Sequence, residues 1–294
     1  MEKNKKIQIY CLFGASLILG LFGAVCLFLG IRTEYNDAMG YFNTDSLFAP
    51  VLYLCMVAGP VFGLVGWVLN RKHEAPDKAL PGGIATVIAS IIAASLVLYR
   101  SFSELSAYFN APPSAKDTKA LILALLALLT AASLILSALS KKDKAVNPWV
   151  SLLSFFPVIY CACCVLFLYF DQTVAVNSPI KFISQLTYLA FMLVFCAEAG
   201  LSLGRGGIYP RYFFALCCAA AVGGAGAVGA LMCNVTASPC AGFAGADSFV
   251  KAGFFIYACV RFVYFAGIEA TVGEKEIKAK KTEAEEPEIY ESEE

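Results

Sequence analysis

The chain is predicted to fold as an all-α, polytopic transmembrane helix bundle of eight helices, built as four tandem helical hairpins in the same orientation. Three observations predict this. Hydrophobic residues make up 59% of the 294 residues and charged residues 15%, with mean hydropathy +0.71; soluble domains run at about 45–50% apolar and about 25% charged. The apolar residues come in blocks of roughly 18–25, the length that crosses about 30 Å of hydrocarbon as a helix, and not at amphipathic spacing. Lys and Arg, finally, are sorted to one side of the threading those blocks impose.

A basic start, Met1 to Lys6, leads into the first apolar run at 7–31. A cleaved signal peptide has a core of about 7–15 residues, so this run reads as a retained span. The second span is placed at 47–70, with Pro60 inside as a kink. The third falls at 83–99 and the fourth at 120–139. The fifth, 149–170, carries an internal Pro157, and the sixth is 182–203. The seventh, 212–232, is nearly all Ala and Gly from Ala219 to Ala230, which permits close helix approach and puts it at the centre of the bundle. Gly59–Gly63 and Gly200–Gly204 have the same GxxxG spacing. The eighth span is 249–268. Residues 269–294 form a charged, increasingly acidic tail with too little apolar surface to fold, expected to be disordered and cytoplasmic.

With the N-terminus inside, fifteen of the 22 Lys and Arg lie on the inner side, six lie outside, and Arg261 falls within a span. Cytoplasmic loops are enriched in Lys and Arg, so both termini are expected in the cytoplasm. No connection is long enough for a folded soluble domain.

A short pattern recurs on the outer side. It reads Arg32…Tyr41-Phe42-Asn43 after span one, Arg100…Tyr108-Phe109-Asn110 after span three, and Tyr169-Phe170-Asp171 at the end of span five. A proline follows each copy (Pro50, Pro112, Pro179), and the copies are one helical hairpin apart. Tandem hairpins explain the register; an interfacial aromatic belt explains only the aromatics. Tyr169-Phe-Asp171, followed by Asn177-Ser-Pro179-x-Lys181, Gln185 and the later Glu198, resembles uncharacterised multi-pass membrane proteins of anaerobic Gram-positive bacteria. That resemblance implies an architecture and a bacterial cell membrane. It brings no assigned activity and no catalytic residues.

Charges inside hydrocarbon cost on the order of 2–3 kcal/mol each unless paired or snorkelled, so Glu198 in span six and Arg261 in span eight need a reason. Their expected depths differ by only about 3 Å, which allows an ion pair. Tyr257 and Tyr264 lie four before and three after Arg261, on its face of the helix. The alternative has Arg261 reaching the cytoplasmic surface and Glu198 near water. Every Asp falls in an expected loop. A second candidate set, Arg32, Tyr41, Asn43, Arg100, Tyr108, Asn110, Asp171, Asn177 and Lys181, would line one polar, aromatic-rimmed outer vestibule if the hairpins surround an axis.

Known catalytic patterns are missing from the sequence. The single histidine, His73, lies in a charged loop, and no Walker A, HExxH or GxSxG pattern occurs. The Cys161–Cys163–Cys164 cluster fits no zinc spacing and reads as packing; Cys233 and Cys240 flank an outer loop and are placed to bridge in an oxidising environment. No basic stripe suits nucleic acid. The expectation is thus a non-enzymatic binding or scaffold protein without metal or cofactor, with the lipid bilayer as its surroundings and an unidentified small molecule or protein as partner. The alternative is a small-molecule or ion transporter using Glu198 and Arg261.

Overall fold

A computed structural model describes residues 2–36, 39–70, 83–112, 118–139, 148–171, 178–203, 209–236 and 245–285. Among these, eight helical segments are long and apolar enough to cross a membrane, which marks the chain as a multi-pass integral membrane protein. The only strands described are the two-residue pair β1 (Tyr35–Asn36) and β2 (Tyr41–Phe42). Residues such as Ile18, Leu54, Val57 and Ile84 face outward, as lipid-facing side chains do.

Helices α1 (Glu2–Thr33) and α2 (Phe48–Asn70) pack together as a hairpin, as do α3 (Ile84–Asn110) and α4 (Thr118–Leu139). Span five is divided into α5 (Pro148–Leu153) and α6 (Phe156–Phe170). Pro157 lacks an N–H and its ring clashes with the carbonyl four residues back, so it opens a new helix instead of kinking a continuous one. The break is tied to the end of α7 (Pro179–Ser202), where Ser151 Oγ donates to the Ser202 carbonyl at 3.3 Å. Pro60, by contrast, is accommodated within α2.

Span seven comprises α8 (Tyr209–Cys218), a π-helical turn over Ala219–Gly223, and α9 (Gly224–Val235). It contacts α1, α2, α7 and α10 (Ala246–Glu285) and is the most buried span, with 83% of its apolar window inside the protein. The sequence places it at the centre for the right reason: its small residues let neighbouring backbones close in. A Cβ on Gly20 of α1 would sit 2.2 Å from the Ala220 carbonyl oxygen, and one on Gly59 of α2 would sit 2.4 Å from Ala221 Cβ. Gly20→Ala is therefore expected to destabilise the protein by about 1–3 kcal/mol, because backbone must move. Gly14→Ala, with nothing within 4 Å, provides the control and should be neutral or slightly stabilising from helix propensity. Thermal melting of the purified protein in detergent compares the two; equal behaviour would contradict the close α1–span-seven contact.

Three expected boundaries move. Helix α3 runs eleven residues past the expected end at 99, to Asn110, so Arg100 lies on a helix and not in a loop. Helix α10 begins at Ala246, which brings Asp247 onto its first turn and corrects the expectation that every Asp lies in a loop. At its other end α10 continues to Glu285, where the sequence expects a disordered tail from 269; the Ala, Glu and Lys there are good helix formers. The recurring Tyr-Phe pattern also splits. Tyr41-Phe42 forms β2, whereas Tyr108-Phe109 and Tyr169-Phe170 end helices and hold the same T-shaped pair at 5.6 and 5.3 Å.

Candidate functional site

Helices α7 and α10 run in the same direction, and their facing residues keep a constant offset from Tyr188–Asp247 to Glu198–Tyr257. Two charged clusters lie along this seam. Tyr188 and Glu198 on α7 are ten residues apart, as are Lys251 and Arg261 on α10, so the clusters are separated by about 15 Å of helix.

The cluster nearer the face where α1 begins is centred on Glu198. Its Oε1 accepts from Arg261 Nε at 2.6 Å and from the Tyr212 hydroxyl at 2.7 Å, and its Oε2 accepts from the Tyr257 hydroxyl at 2.7 Å. The guanidinium also lies over the Tyr257 ring at 5.9 Å. Glu198, Arg261 and Tyr257 are thus brought together. Tyr264 is not part of this set: its hydroxyl end packs against Gly83, where a Cβ would approach it to 2.1 Å. Tyr212, which the sequence leaves as a span boundary, takes the fourth place.

The opposite cluster has no counterpart in the sequence reading. Arg100, expected at the rim of a vestibule, turns into the bundle. Its Nε binds Glu104 at 2.7 Å, and its Nη1 reaches the Tyr188 hydroxyl at 2.8 Å, the Tyr160 hydroxyl at 3.2 Å, Cys164 Sγ at 3.7 Å and the Asp247 carboxylate. Tyr188 donates to that same Asp247 Oδ1. Lys251 binds Asp247 Oδ2 at 2.6 Å and Ser184 Oγ at 3.1 Å, and its ammonium lies 5.2 Å from the centre of the Tyr188 ring. Lys251 is fully buried, while Arg100, Asp247 and Glu104 keep 12%, 18% and 23% side-chain exposure. Two cations and two carboxylates balance within the cluster, so no net charge is left in the apolar interior.

An aromatic plug separates the two clusters. The buried Phe254 ring lies 5.0 Å from Phe195, 5.8 Å from Phe191 and 6.2 Å from Tyr160, and Phe195 continues to Tyr257 at 5.9 Å. These edge and tilted contacts pack the seam closely between its charged ends.

Among the described residues, the remaining outer candidates have separate partners. Arg32 lies over the Phe28 ring at 5.5 Å, Tyr108 pairs with Phe109, and Asn110 donates to Ser106 at 3.3 Å. Lys181 is buried and donates to the Asp171 carbonyl at 2.6 Å, closing the start of α7 onto the end of α6. Tyr41 and Asn43 border a shallow depression of about 400 Å³ that reaches Pro179. Asn177 and Cys240 lie outside the described residues. The arrangement fails as a single vestibule because Arg100 and Lys181 find partners inside and turn away from the surface.

Glu34 supplies a polar device that the sequence reading misses. Ser46 donates to its carboxylate, which also accepts from the Phe48 and Leu47 N–H groups at the start of α2. These bonds, the Ser46 hydroxyl foremost, hold the carboxyl below the usual carboxylate range. The ionised group caps α2, where the helix dipole favours negative charge.

Among the described residues, no group of three or more His, Cys, Asp or Glu side chains is placed to hold a metal ion. Comparison of the chain with protein-family models, with curated proteins and with solved structures finds no match.

Proposed function

We propose that this protein is a non-enzymatic membrane carrier for a small solute, with the α7–α10 seam as its working element. The observation that carries this reading is the pair of charged clusters about 15 Å apart on one helix pair, with Phe254 between them. Ionisable side chains inside a membrane are costly, and apolar packing holds helices together as well or better, so their presence here favours a role on a solute path. A partly exposed cluster at each end and a closed aromatic layer in the middle suit alternating access, in which one end opens while the other stays shut. The excess of Lys and Arg on one side supports a bacterial cytoplasmic membrane location with both termini in the cytoplasm.

A static binding or scaffold role is the second reading. It is favoured by the internal neutrality of both clusters, which lets them act as pins between helices. Thiol labelling separates the two readings. In a background with the twelve native cysteines replaced, Ser184→Cys reports on the Lys251 end of the seam and Ala199→Cys on the Glu198 end. Both sites are buried. For a carrier, adding Glu198→Gln should raise labelling of Ala199→Cys by a membrane-impermeant maleimide from one face. It should also lower labelling of Ser184→Cys from the other face, each by about fivefold or more. Unlinked changes at the two positions would favour the scaffold.

A further inference from the structure

Asp247 is held as a bound carboxylate would be. Donors from three helices meet on it: Arg100 from α3 and Tyr188 from α7 on Oδ1, and Lys251 of α10 on Oδ2. Each cation is fixed from behind. Glu104 holds the Arg100 Nε at 2.7 Å and Tyr160 braces the same guanidinium at 3.2 Å, while Ser184 takes Lys251 at 3.1 Å. The donor set therefore does not depend on Asp247 alone for its shape. Asp247 keeps 18% side-chain exposure and Arg100 12%, while Lys251 has none. It belongs to the first turn of α10, directly after Gly245, which takes the left-handed φ of +74° that favours glycine. A carboxylate on a short tether thus closes a dicationic cradle.

We propose that the Arg100–Tyr188–Lys251 cradle is the substrate site of the carrier, that its substrate is a small carboxylate anion, and that Asp247 fills the cradle when the substrate is absent. This rests on the carrier reading above. The donors are spaced for a carboxylate: a guanidinium and an ammonium from different helices converge on the two oxygens of one carboxylate, and a phenol hydroxyl adds a third donor. A solute carboxylate satisfies the same donors, and Asp247 turns out toward water, where an ionised carboxylate is well solvated. A solute cation finds the opposite situation, since both carboxylates already serve Arg100 and Lys251. The exchange of one carboxylate for another leaves the buried cations paired throughout, which avoids the large cost of an isolated charge in the bundle.

The test is chemical rescue. Asp247→Asn keeps the side-chain shape and removes the charge, leaving the cradle empty of anion. In detergent at constant ionic strength, replacing chloride by saturating acetate should raise the melting temperature of Asp247→Asn by about 5 °C, and the gain should be lost in Asp247→Asn/Arg100→Gln. Wild type should gain less, because its own carboxylate competes. Acetate acting no differently from chloride, or acting equally without Arg100, would overturn the proposal. If Asp247→Asn yields no folded protein, saturation-transfer NMR of wild type with acetate gives the answer. A saturable signal competed by propionate supports the site, and none overturns it. Coupled labelling at Ser184→Cys and Ala199→Cys without any acetate effect would remove the ligand class and leave the carrier. Acetate rescue with unlinked labelling would leave a carboxylate-binding membrane protein that carries nothing.

Discussion

Asp247→Asn in chloride is expected to destabilise the protein by about 3–5 kcal/mol, the cost of removing one partner from a buried ion pair. The loss is large because of what it leaves behind. Lys251 has no solvent exposure, and besides Asp247 it reaches the Ser184 hydroxyl and the face of Tyr188. Neither neutralises an ammonium. Arg100 loses less, since Glu104 still faces its Nε at 2.7 Å. Asp247→Asn/Lys251→Met removes anion and cation together and fills the space with a flexible apolar chain. It should recover most of the loss, to within about 1–2 kcal/mol of wild type, because no unpaired charge remains. Thermal melting in detergent, read by retention of a monodisperse size-exclusion peak, measures all three proteins. A double variant as unstable as Asp247→Asn would mean that the cluster is not held by charge balance.

The span pattern was legible because bilayer thickness imposes one length on every helix, and small residues announced the central span. Its errors share one cause. Hydropathy ends a span where charge begins, so it stops α3 at Tyr99 and starts α10 at Phe249, short of their true ends at Asn110 and Ala246. The charges that extend both helices meet across the bundle as well as pairing within each helix: Arg100 and Asp247 lie 147 positions apart in the chain. Nothing local to either residue signals that meeting. Glu198 and Arg261 were legible for the converse reason, since each interrupts a long apolar run and both lie at similar depth. Tyr212 was not, because a tyrosine at the edge of a span normally marks the interface. The Tyr-Phe repeat does not form one outer structure: its first copy is β2, paired with Tyr35–Asn36, while the other two copies end helices. A dipeptide does not fix backbone conformation when its flanking sequence differs.

The Glu198 cluster should show strong coupling between partners. Arg261→Gln leaves a carboxylate held by two tyrosine hydroxyls in the membrane interior and is expected to cost about 2–4 kcal/mol. Glu198→Gln leaves the guanidinium, whose side chain keeps 12% exposure, and should cost less because a long arginine can extend toward the nearby face of the membrane. Combining the two removes both charges. The loss should then fall short of the sum of the single losses by about 1–3 kcal/mol, the range of a coupling energy between directly bonded groups. Tyr257→Phe and Tyr212→Phe sharpen the assignment. Each removes a hydroxyl that donates to the Glu198 carboxylate at 2.7 Å and should cost about 1–3 kcal/mol in the wild-type background, as hydrogen bonds to charged groups do. In Arg261→Gln each should cost more, because the carboxylate then depends on the tyrosines alone. In Glu198→Gln each should cost less, since the acceptor is no longer charged. Additive losses across these variants would mean that Arg261 is solvated at the membrane face and that Glu198 is held by the tyrosines without it.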